Sequence, residues 1–232
     1  MAVISPVSER ATVVALLMLT FATGLVDAIS VLVLGHVFVA NMTGNVVFLG
    51  FWLAPQTTVD LAGVLVSFAS FLVGAVIGGR YARHLGAKVR IWLATALGTE
   101  VALLTTMAVL VGTEVIDYHT QQKVILIACL AITFGAQSAA ARQFGVQELS
   151  TTVLTSTIVG IGVDSRLAGG TGEREKLRIT IVLTLCAGAA VGATVLHIGL
   201  APVIGLAACI VAASLAVFLL GPPAESHRRT GK

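Results

Sequence analysis

The sequence predicts an all-α, polytopic membrane helical bundle with six full transmembrane spans and two partial or broken helices, built as two inverted-topology repeats. Three observations predict this class. The composition is 57% hydrophobic and 11% charged, with a mean hydropathy of +1.00, whereas about a quarter of the residues of a soluble domain are charged. Six apolar runs are long enough to cross about 30 Å of hydrocarbon. Finally, segments of the first half recur in the second half.

The spans follow from the apolar runs, each of which holds about 18 or more residues with few charges. They cover residues 11–34, 61–79, 91–112, 124–141, 179–196 and 202–220. Two further stretches, 37–54 and 149–163, are ambiguous, because NMTGN interrupts the first and the second is short and contains STTVLTST. We predict a single transmembrane domain over 1–232, with repeat one at about 11–112, repeat two at about 124–220 and a cytoplasmic tail at 221–232.

The basic residues predict the orientation, because Lys and Arg in short loops gather on the cytoplasmic side of a membrane. If neither ambiguous stretch crosses, Lys123 is the only one of the 14 Lys and Arg residues left outside. If both cross, the basic residues divide far more evenly between the two sides. We therefore predict six spans with both termini in the cytoplasm, and two stretches that enter the membrane and return to the same side.

The internal repeat rests on three matches in the same order. TFATGLVDA (20–28) matches AITFGAQSA (131–139), NMTGN aligns with VLTST, and GAVIG (74–78) corresponds to GAAVG (188–192). Each unit then holds three spans, and this odd number turns the second copy upside down relative to the first. Inverted repeats are typical of secondary transporters, whose solute site lies near the midplane between broken helices.

The NMTGN interruption and the acid before it form the first group of candidate site residues. Asp27 lies well inside the first span, where an unpaired carboxylate costs a few kcal/mol or more. It is either a proton or cation site or a structural acceptor for free amides of the interruption. We expect Asn41 or Thr43 to cap a helix start there, and Gly44 to let the backbone turn. Asn41, Thr43, Gly44 and Asn45 would then present amides to a polar or anionic solute.

The second group of candidates lies further along the chain. Glu100 is the deepest charge, close to the midplane of its span, and is either a proton site or a neutral acid bonded to a neighbouring helix. Gln137 and Ser138 belong to the counterpart of the Asp27 segment, and Gln137 either faces the solute or bridges two helices. Thr155 and Thr157 are candidates for a second helix start, for which plain capping without a ligand is the alternative.

Three segments, GLVDAISVLVLGHVFVANMTGNVVFLG, TFGAQSAAARQFG and TTVLTSTIVGIG, carry a resemblance over nearly the whole chain. Together they resemble the YoaK-like family of bacterial multi-pass inner-membrane proteins, which is grouped as a domain of unknown function. The resemblance implies six spans and a bacterial plasma-membrane location, and it implies neither a substrate nor a reaction. In their second half such proteins usually have Gly-Leu-Gln-Asn-Ala, where this chain has GAQSA at 135–139.

The leading functional hypothesis is a small-solute secondary transporter or channel, with proton coupling through Asp27 and Glu100. The alternatives are an intramembrane enzyme acting on a lipid or quinone, and a membrane scaffold or assembly factor. No catalytic motif accompanies the acids, and Cys129, Cys186 and Cys209 lack metal-binding spacing. We therefore expect no enzymatic activity, catalytic residue, metal or cofactor. The expected partners are the bilayer and a small solute, with a homo-oligomer as an option and nucleic acid excluded.

Overall fold

The computed structural model describes residues 5–53, 59–85, 88–144 and 154–223. Within these ranges the chain forms eight α-helices, and the six long ones are apolar enough to cross a membrane, as predicted. The helices are α1 (Glu9–Leu32), α2 (Met42–Gly50), α3 (Leu61–Leu85), α4 (Val89–Gly112), α5 (Lys123–Ala141), α6 (Leu154–Val163), α7 (Glu175–Val195) and α8 (Leu200–Leu220). The protein is thus an all-α polytopic membrane bundle. Residues 149–153 of the second ambiguous stretch and most of the predicted tail lie outside the described residues.

The first helix has a clear start and a clear stop. Its N-terminus is capped by the Ser8 hydroxyl, which accepts a hydrogen bond from the Ala11 N–H. After its C-terminus the chain reverses at Gly35 (φ 109°) and His36 (φ 61°), a left-handed conformation that glycine adopts without strain. The sequence predicted this turn at Gly44, and that position was wrong. Gly44 lies inside α2 beneath the ring of Phe38, and a Cβ there would come within 2.4 Å of that ring.

Helices α3 and α5 are in close contact because glycines of α3 lie against the backbone of α5 where the two helices cross. A Cβ on Gly74 would lie 2.0 Å from the carbonyl oxygen of Ile132, and one on Gly78 would lie 2.8 Å from that of Ala136. Such contacts let two backbones approach in the manner of small-residue motifs in membrane helices. Residue numbers rise along both helices from one contact to the next, so α3 and α5 run parallel.

Helices α1 and α7 repeat this contact. A Cβ on Gly188 would lie 2.2 Å from the carbonyl oxygen of Phe21, and one on Gly192 would lie 2.7 Å from that of Leu25. When the two halves of the chain are aligned, each of these four residues matches a residue at the α3–α5 crossing. The two halves of the chain therefore share one packing arrangement, and α1 and α7 are also parallel.

Contacts between helix ends show how the helices are directed. At one end of the bundle the Asp60 N–H donates to the Gly35 carbonyl at 3.4 Å, and the Lys123 ammonium lies 2.8 Å from the Asp60 carboxylate; we call this the Lys123 end. At the other, the terminal end, the Ser8 N–H donates to the Pro222 carbonyl at 2.8 Å. Because α1 ends where α3 and α5 begin, α1 and α5 run in opposite directions.

The loop directions agree with the predicted path of the ambiguous stretches. The chain leaves α1 and enters α3 at the Lys123 end, so the segment holding α2 returns to the end from which it started. Since α5 is parallel to α3 and α7 is parallel to α1, the segment holding α6 likewise leaves and returns at the terminal end. The outer surface of the long helices carries large apolar side chains, as a lipid-facing surface does; examples are Leu65, Leu72, Val76, Leu183 and Leu220.

Candidate functional site

The Asp27 carboxylate holds the extended segment that precedes α2. One carboxylate oxygen accepts the N–H groups of Val39 and Ala40, at 3.1 and 3.0 Å. The other accepts the side-chain amide of Asn41. The Asp27 side chain is only 6% exposed, and Val39 and Ala40 are buried with it. These are the contacts that the structural alternative for Asp27 predicted.

The side chain of Asn45 fixes the same segment from the opposite direction. Its carbonyl oxygen accepts the Phe38 N–H at 2.9 Å, and its amide donates to the Phe38 carbonyl at 2.6 Å. The Ser67 hydroxyl on α3 donates to the same carbonyl at 2.6 Å. Backbone that is not helical is tolerated at membrane depth only when its polar groups are satisfied. Asp27, Asn45 and Ser67 meet that requirement for the N–H groups of residues 38–40 and for the Phe38 carbonyl.

The predicted capping role of the NMTGN residues is wrong in its details. Asn41 occupies the N-cap position of α2, but its side chain makes no capping hydrogen bond and donates to Asp27 instead. Thr43 is exposed. The polar interruption therefore stabilises a re-entrant segment, and the side-chain amides of Asn41 and Asn45 bond to protein groups.

Glu100 lies in a different environment. It occupies the middle of α4 and is 4% exposed, between the buried residues Leu97 and Leu104 of the same helix face. Its Oε1 atom is buried and has no hydrogen-bond partner within the described part of the chain. A buried polar group without a partner is rare in native proteins and costs free energy, more so for a carboxyl group. The fold therefore supplies no partner, among the described residues, that would offset the cost of burying the Glu100 carboxyl group.

A cavity of about 330 Å³ lies beside Glu100 between α3, α4 and α5. Its polar lining includes Gln137 and the hydroxyls of Thr95, Thr99 and Thr133, and its walls are otherwise mostly apolar, with two aromatic rings. The apolar and aromatic lining consists of Ile77, Gly78, Tyr81, Trp92, Ala96, Leu97, Leu103, Ile132, Ala136 and Ala140. The cavity exists because α5 packs less extensively against α4 than its counterpart α1 packs against α8.

The cavity opens sideways. Ile77 and Tyr81 on α3 and Thr99 on α4 line it and are exposed on the outer surface of the bundle. These two helices contact each other only slightly, because each packs mainly against another partner. Thr99 lies ten residues into α4, about 15 Å from the helix start. The opening therefore lies on the lipid-facing side of α3 and α4, with Thr99 near mid-depth and Tyr81 closer to the end of α3.

The predicted site residues fall into separate places. Glu100 and Gln137 line one cavity, whereas Asp27, Asn41 and Asn45 form the hydrogen-bonded cluster around the re-entrant segment. Ser138, next to Gln137, is half-buried and is absent from the cavity lining. The structure does not bring the two buried acids together.

The candidates on α6 belong to a third place. Thr155 is exposed and Thr157 is buried, on a short helix that packs against α7. Arg178 of α7 holds this helix by donating to the Gly160 carbonyl at 2.8 Å and to the Asp164 carboxylate at 2.5 Å. Neither threonine lines the Glu100 cavity.

Sequence reasoning missed Tyr81, Trp92 and Thr133 in the cavity, and Ser67 beside the re-entrant segment. Ser67 carries a recognisable signal, because it lies seven residues before Gly74 and so shares the helix face that packs against α5. The cavity residues carry no such signal, since they come from three helices whose contacts are not local. Their proximity to Glu100 depends on how α4 and α5 diverge.

Comparisons with known proteins agree with the membrane architecture. The family model described as "Protein of unknown function (DUF1275)" matches residues 15–217. The UPF0700 transmembrane protein YoaK of Bacillus subtilis (strain 168) is 33% identical over 182 residues, which are 76% of this chain and 77% of the relative. No solved structure matches the chain.

Proposed function

This chain belongs to the family of proteins of unknown function DUF1275, and from that premise we propose that it is a small-solute secondary transporter of the bacterial plasma membrane. Its solute binds in the cavity between α3, α4 and α5, and Glu100 couples the transport to protons. The single observation that carries this proposal is Glu100, which lines the cavity and whose buried Oε1 atom has no hydrogen-bond partner among the described residues.

The cost of burying Glu100 supports a functional role. An acid inside a membrane protein is expensive and marks an ion or proton pathway by default. Asp27 shows how the same fold satisfies a buried carboxylate that has a structural task, with several donors aimed at it. Glu100 has no such donors for Oε1, so a ligand or a proton is the natural partner for that atom.

The architecture supports transport independently of Glu100. The α1–α7 and α3–α5 contacts are equivalent, and the two halves of the chain run in opposite directions. Inverted repeats of this kind allow one half to rock against the other, so that a site near the midplane opens alternately to each side. Glu100 lies in the middle of α4, at the depth where such a site is expected.

The coupling mechanism follows from the charge of the carboxyl group. With a proton bound, Glu100 is neutral and can remain in the apolar cavity at little electrostatic cost. Without it, the carboxylate needs a positive partner, because an unpaired charge at this depth is unfavourable. Exchange of a proton for a solute at one atom therefore links the two fluxes.

One observation favours a second candidate, an intramembrane enzyme that acts on a lipid or quinone. The cavity opens to the lipid phase between α3 and α4, which is how such a substrate would enter. The chemistry is less well supplied, since in the described part of the chain the potential nucleophiles that line the cavity with Glu100 are limited to the threonines and Tyr81. We therefore favour transport.

Proteoliposomes with a pH-sensitive dye in the lumen test the proposal. Organic cations, carboxylates and neutral polyols are added outside in turn, and a solute exchanged for protons changes the luminal pH. We expect one class to do so with the wild type and not with Glu100→Gln. Glu173→Gln is the matched control, because Glu173 is exposed in the loop before α7. Unchanged proton-linked flux in Glu100→Gln would remove Glu100 from the mechanism, and no flux with any class would overturn the transporter proposal.

A further inference from the structure

We infer that the solute is an amphiphilic organic cation, a small molecule with an ammonium group on an aromatic or short aliphatic body, which reaches Glu100 from the bilayer through the opening between α3 and α4. This inference rests on the proposed function and specifies its substrate class. The geometry that points to it is an unpartnered buried carboxyl oxygen at the side of an otherwise largely apolar, partly aromatic cavity.

The charge of the ligand follows from what the cavity lacks. A carboxylate oxygen accepts hydrogen bonds and favours a cation, and a protonated amine supplies both the charge and the N–H. None of the lining residues is Lys, Arg or His. A positive charge beside Glu100 must therefore come from the ligand or, as a proton, from solvent.

The apolar and aromatic residues that line the cavity indicate the nature of the uncharged part of the ligand. Aliphatic side chains and the rings of Tyr81 and Trp92 dominate the lining. Aromatic faces attract organic cations, most strongly where the cation is desolvated. The volume of about 330 Å³ lies at the lower end of the range for small-molecule sites, which favours a compact molecule with one ring over a polycyclic one.

The route follows from the opening. Ile77 and Thr99 line the cavity and face lipid at mid-depth, so a molecule that partitions into the bilayer can enter sideways. An amphiphilic cation partitions in this way, whereas a small carboxylate or sugar does not. Gln137, at the α5 side of the cavity, offers a second hydrogen-bonding group to an ammonium through its carbonyl oxygen.

Competition between the proton and the cation predicts the pH dependence. Glu100 can hold either partner, so cation binding weakens as the pH falls. Tyr81 of α3 is the other titratable group in the lining, and neither α4 nor α5 contributes another. Cys129 of α5 lies outside the lining, and Cys209 of α8, which packs on α4, is exposed. The basic groups of these helices lie near helix ends. Lys123, at the start of α5, is half-buried and pairs with Asp60, and the exposed ones are Arg80, Arg83, His84, Lys88, Arg90 and Arg142.

The two tryptophans of the chain make a direct binding assay possible. Trp52 is exposed, and Trp92 is buried in the cavity wall. In a Trp52→Phe protein held in phosphatidylcholine nanodiscs, Trp92 alone reports on the cavity. Three probes of matched shape are titrated: 2-phenylethylammonium, its neutral analogue propylbenzene, and the anion 3-phenylpropionate.

We expect 2-phenylethylammonium to change Trp92 emission saturably, with an apparent affinity at least tenfold weaker in the Glu100→Gln background and weaker at lower pH in the wild type. We expect 3-phenylpropionate to give no saturable change. Thr99→Phe, which places a ring at the lipid-facing mouth, should slow binding of the cation. Since Thr99 is exposed, this variant avoids disturbing the core.

The outcomes separate this inference from the proposed function. Equal binding of the cation and the anion, unchanged cation binding in Glu100→Gln, or no saturable response would overturn the inferred substrate class. Proton-linked flux of another solute class would support the transporter proposal and contradict the inferred substrate class. Binding of the ammonium probe with no flux of it or of any other solute would support the ligand chemistry and overturn transport.

Discussion

Two buried acids in this protein have opposite surroundings. Asp27 accepts three hydrogen bonds, two from backbone N–H groups and one from Asn41, whereas Oε1 of Glu100 accepts none. A carboxylate that accepts hydrogen bonds from three donors has a structural role, because it holds the segment to which the donors belong. A carboxyl group without a donor is available to an external ligand.

The variant Asp27→Asn is expected to destabilise the protein. Asparagine has one acceptor oxygen, so its amide would face N–H groups of the re-entrant segment and leave them unsatisfied. The loss of one or two buried hydrogen bonds should lower the free energy of unfolding by about 2 to 4 kcal/mol. Unfolding in mixed micelles of a mild detergent and dodecyl sulfate measures it, with Thr43→Ala as control because Thr43 is exposed.

Glu100→Gln is expected to behave differently in the same assay. No hydrogen bond to Oε1 is lost, and an amide is cheaper to bury than a carboxylate, so the free energy of unfolding should stay the same or rise. A destabilisation as large as that of Asp27→Asn would contradict the assignment of Glu100 to a ligand, because it would reveal a structural partner.

At the scale of the helix, glycine determines which pairs come into contact. Gly74 and Gly188 occupy equivalent positions in the α3–α5 and α1–α7 crossings. We expect Gly74→Ala and Gly188→Ala each to lower the free energy of unfolding, by about 1 to 3 kcal/mol, because the added Cβ meets a backbone carbonyl. Gly98→Ala is the matched control, since a Cβ there meets no atom within 4 Å. A tolerated Gly74→Ala would contradict the packing.

The ends of α3 and α5 are joined by an ion pair that predicts a pH effect. Burial raises the pKa of the Asp60 carboxyl, but the hydrogen bond and charge of Lys123 and the hydrogen bond from Gly63 outweigh it, so the pKa lies below its ordinary value of 3.8. A lowered folded-state pKa means that the stabilisation is present above the unfolded-state pKa and is lost as the pH falls through the folded-state value.

We therefore expect Asp60→Asn to lower the free energy of unfolding by about 1 kcal/mol or less at pH 7, and the difference from wild type to shrink as the pH falls below 3.8 and through the lowered folded-state pKa. Asparagine keeps the hydrogen bond to the Gly63 N–H and so isolates the charge. Melting temperatures at several pH values measure the effect. A difference that grows as the pH falls would mean that Lys123 does not stabilise the ionised form.

The helices, and the glycine faces at which they pack closely, could be predicted from sequence because their signals are local; the partner of each face could not. Apolar length identifies the spans, and the GAVIG and GAAVG motifs identify the close contacts. The position of the polar interruption was also visible, and Asp27 was one suggested partner. Ser67 was not, because Ser67 and Phe38 meet only in the folded chain. The cavity was beyond prediction for the same reason, since Glu100 and Gln137 belong to different helices.

At the scale of the whole molecule, the opposite directions of the two halves make a prediction about sidedness. The Ser8 and Pro222 contact places both described ends of the chain together, and the loop between α6 and α7 lies at that same terminal end. All of the Lys and Arg residues except Lys123 belong to that end by the predicted path of the chain, and the charge rule predicts that this end lies in the cytoplasm.

Single-cysteine labelling in intact bacteria tests this arrangement. In a protein whose Cys129, Cys186 and Cys209 are replaced by alanine, His119→Cys lies between α4 and α5 at the Lys123 end, and Glu173→Cys lies before α7 at the terminal end; both positions are exposed. A membrane-impermeant maleimide should label position 119 in intact cells and position 173 only after permeabilisation. Both must label in permeabilised cells as a control.

If position 173 were accessible from outside while 119 were not, the six-span fold would remain valid but its orientation in the membrane would be reversed. If both were accessible from outside, the segment holding α6 would have to cross the membrane, because only α5 and that segment separate the two positions. The opposed halves on which the transport mechanism depends would then be lost.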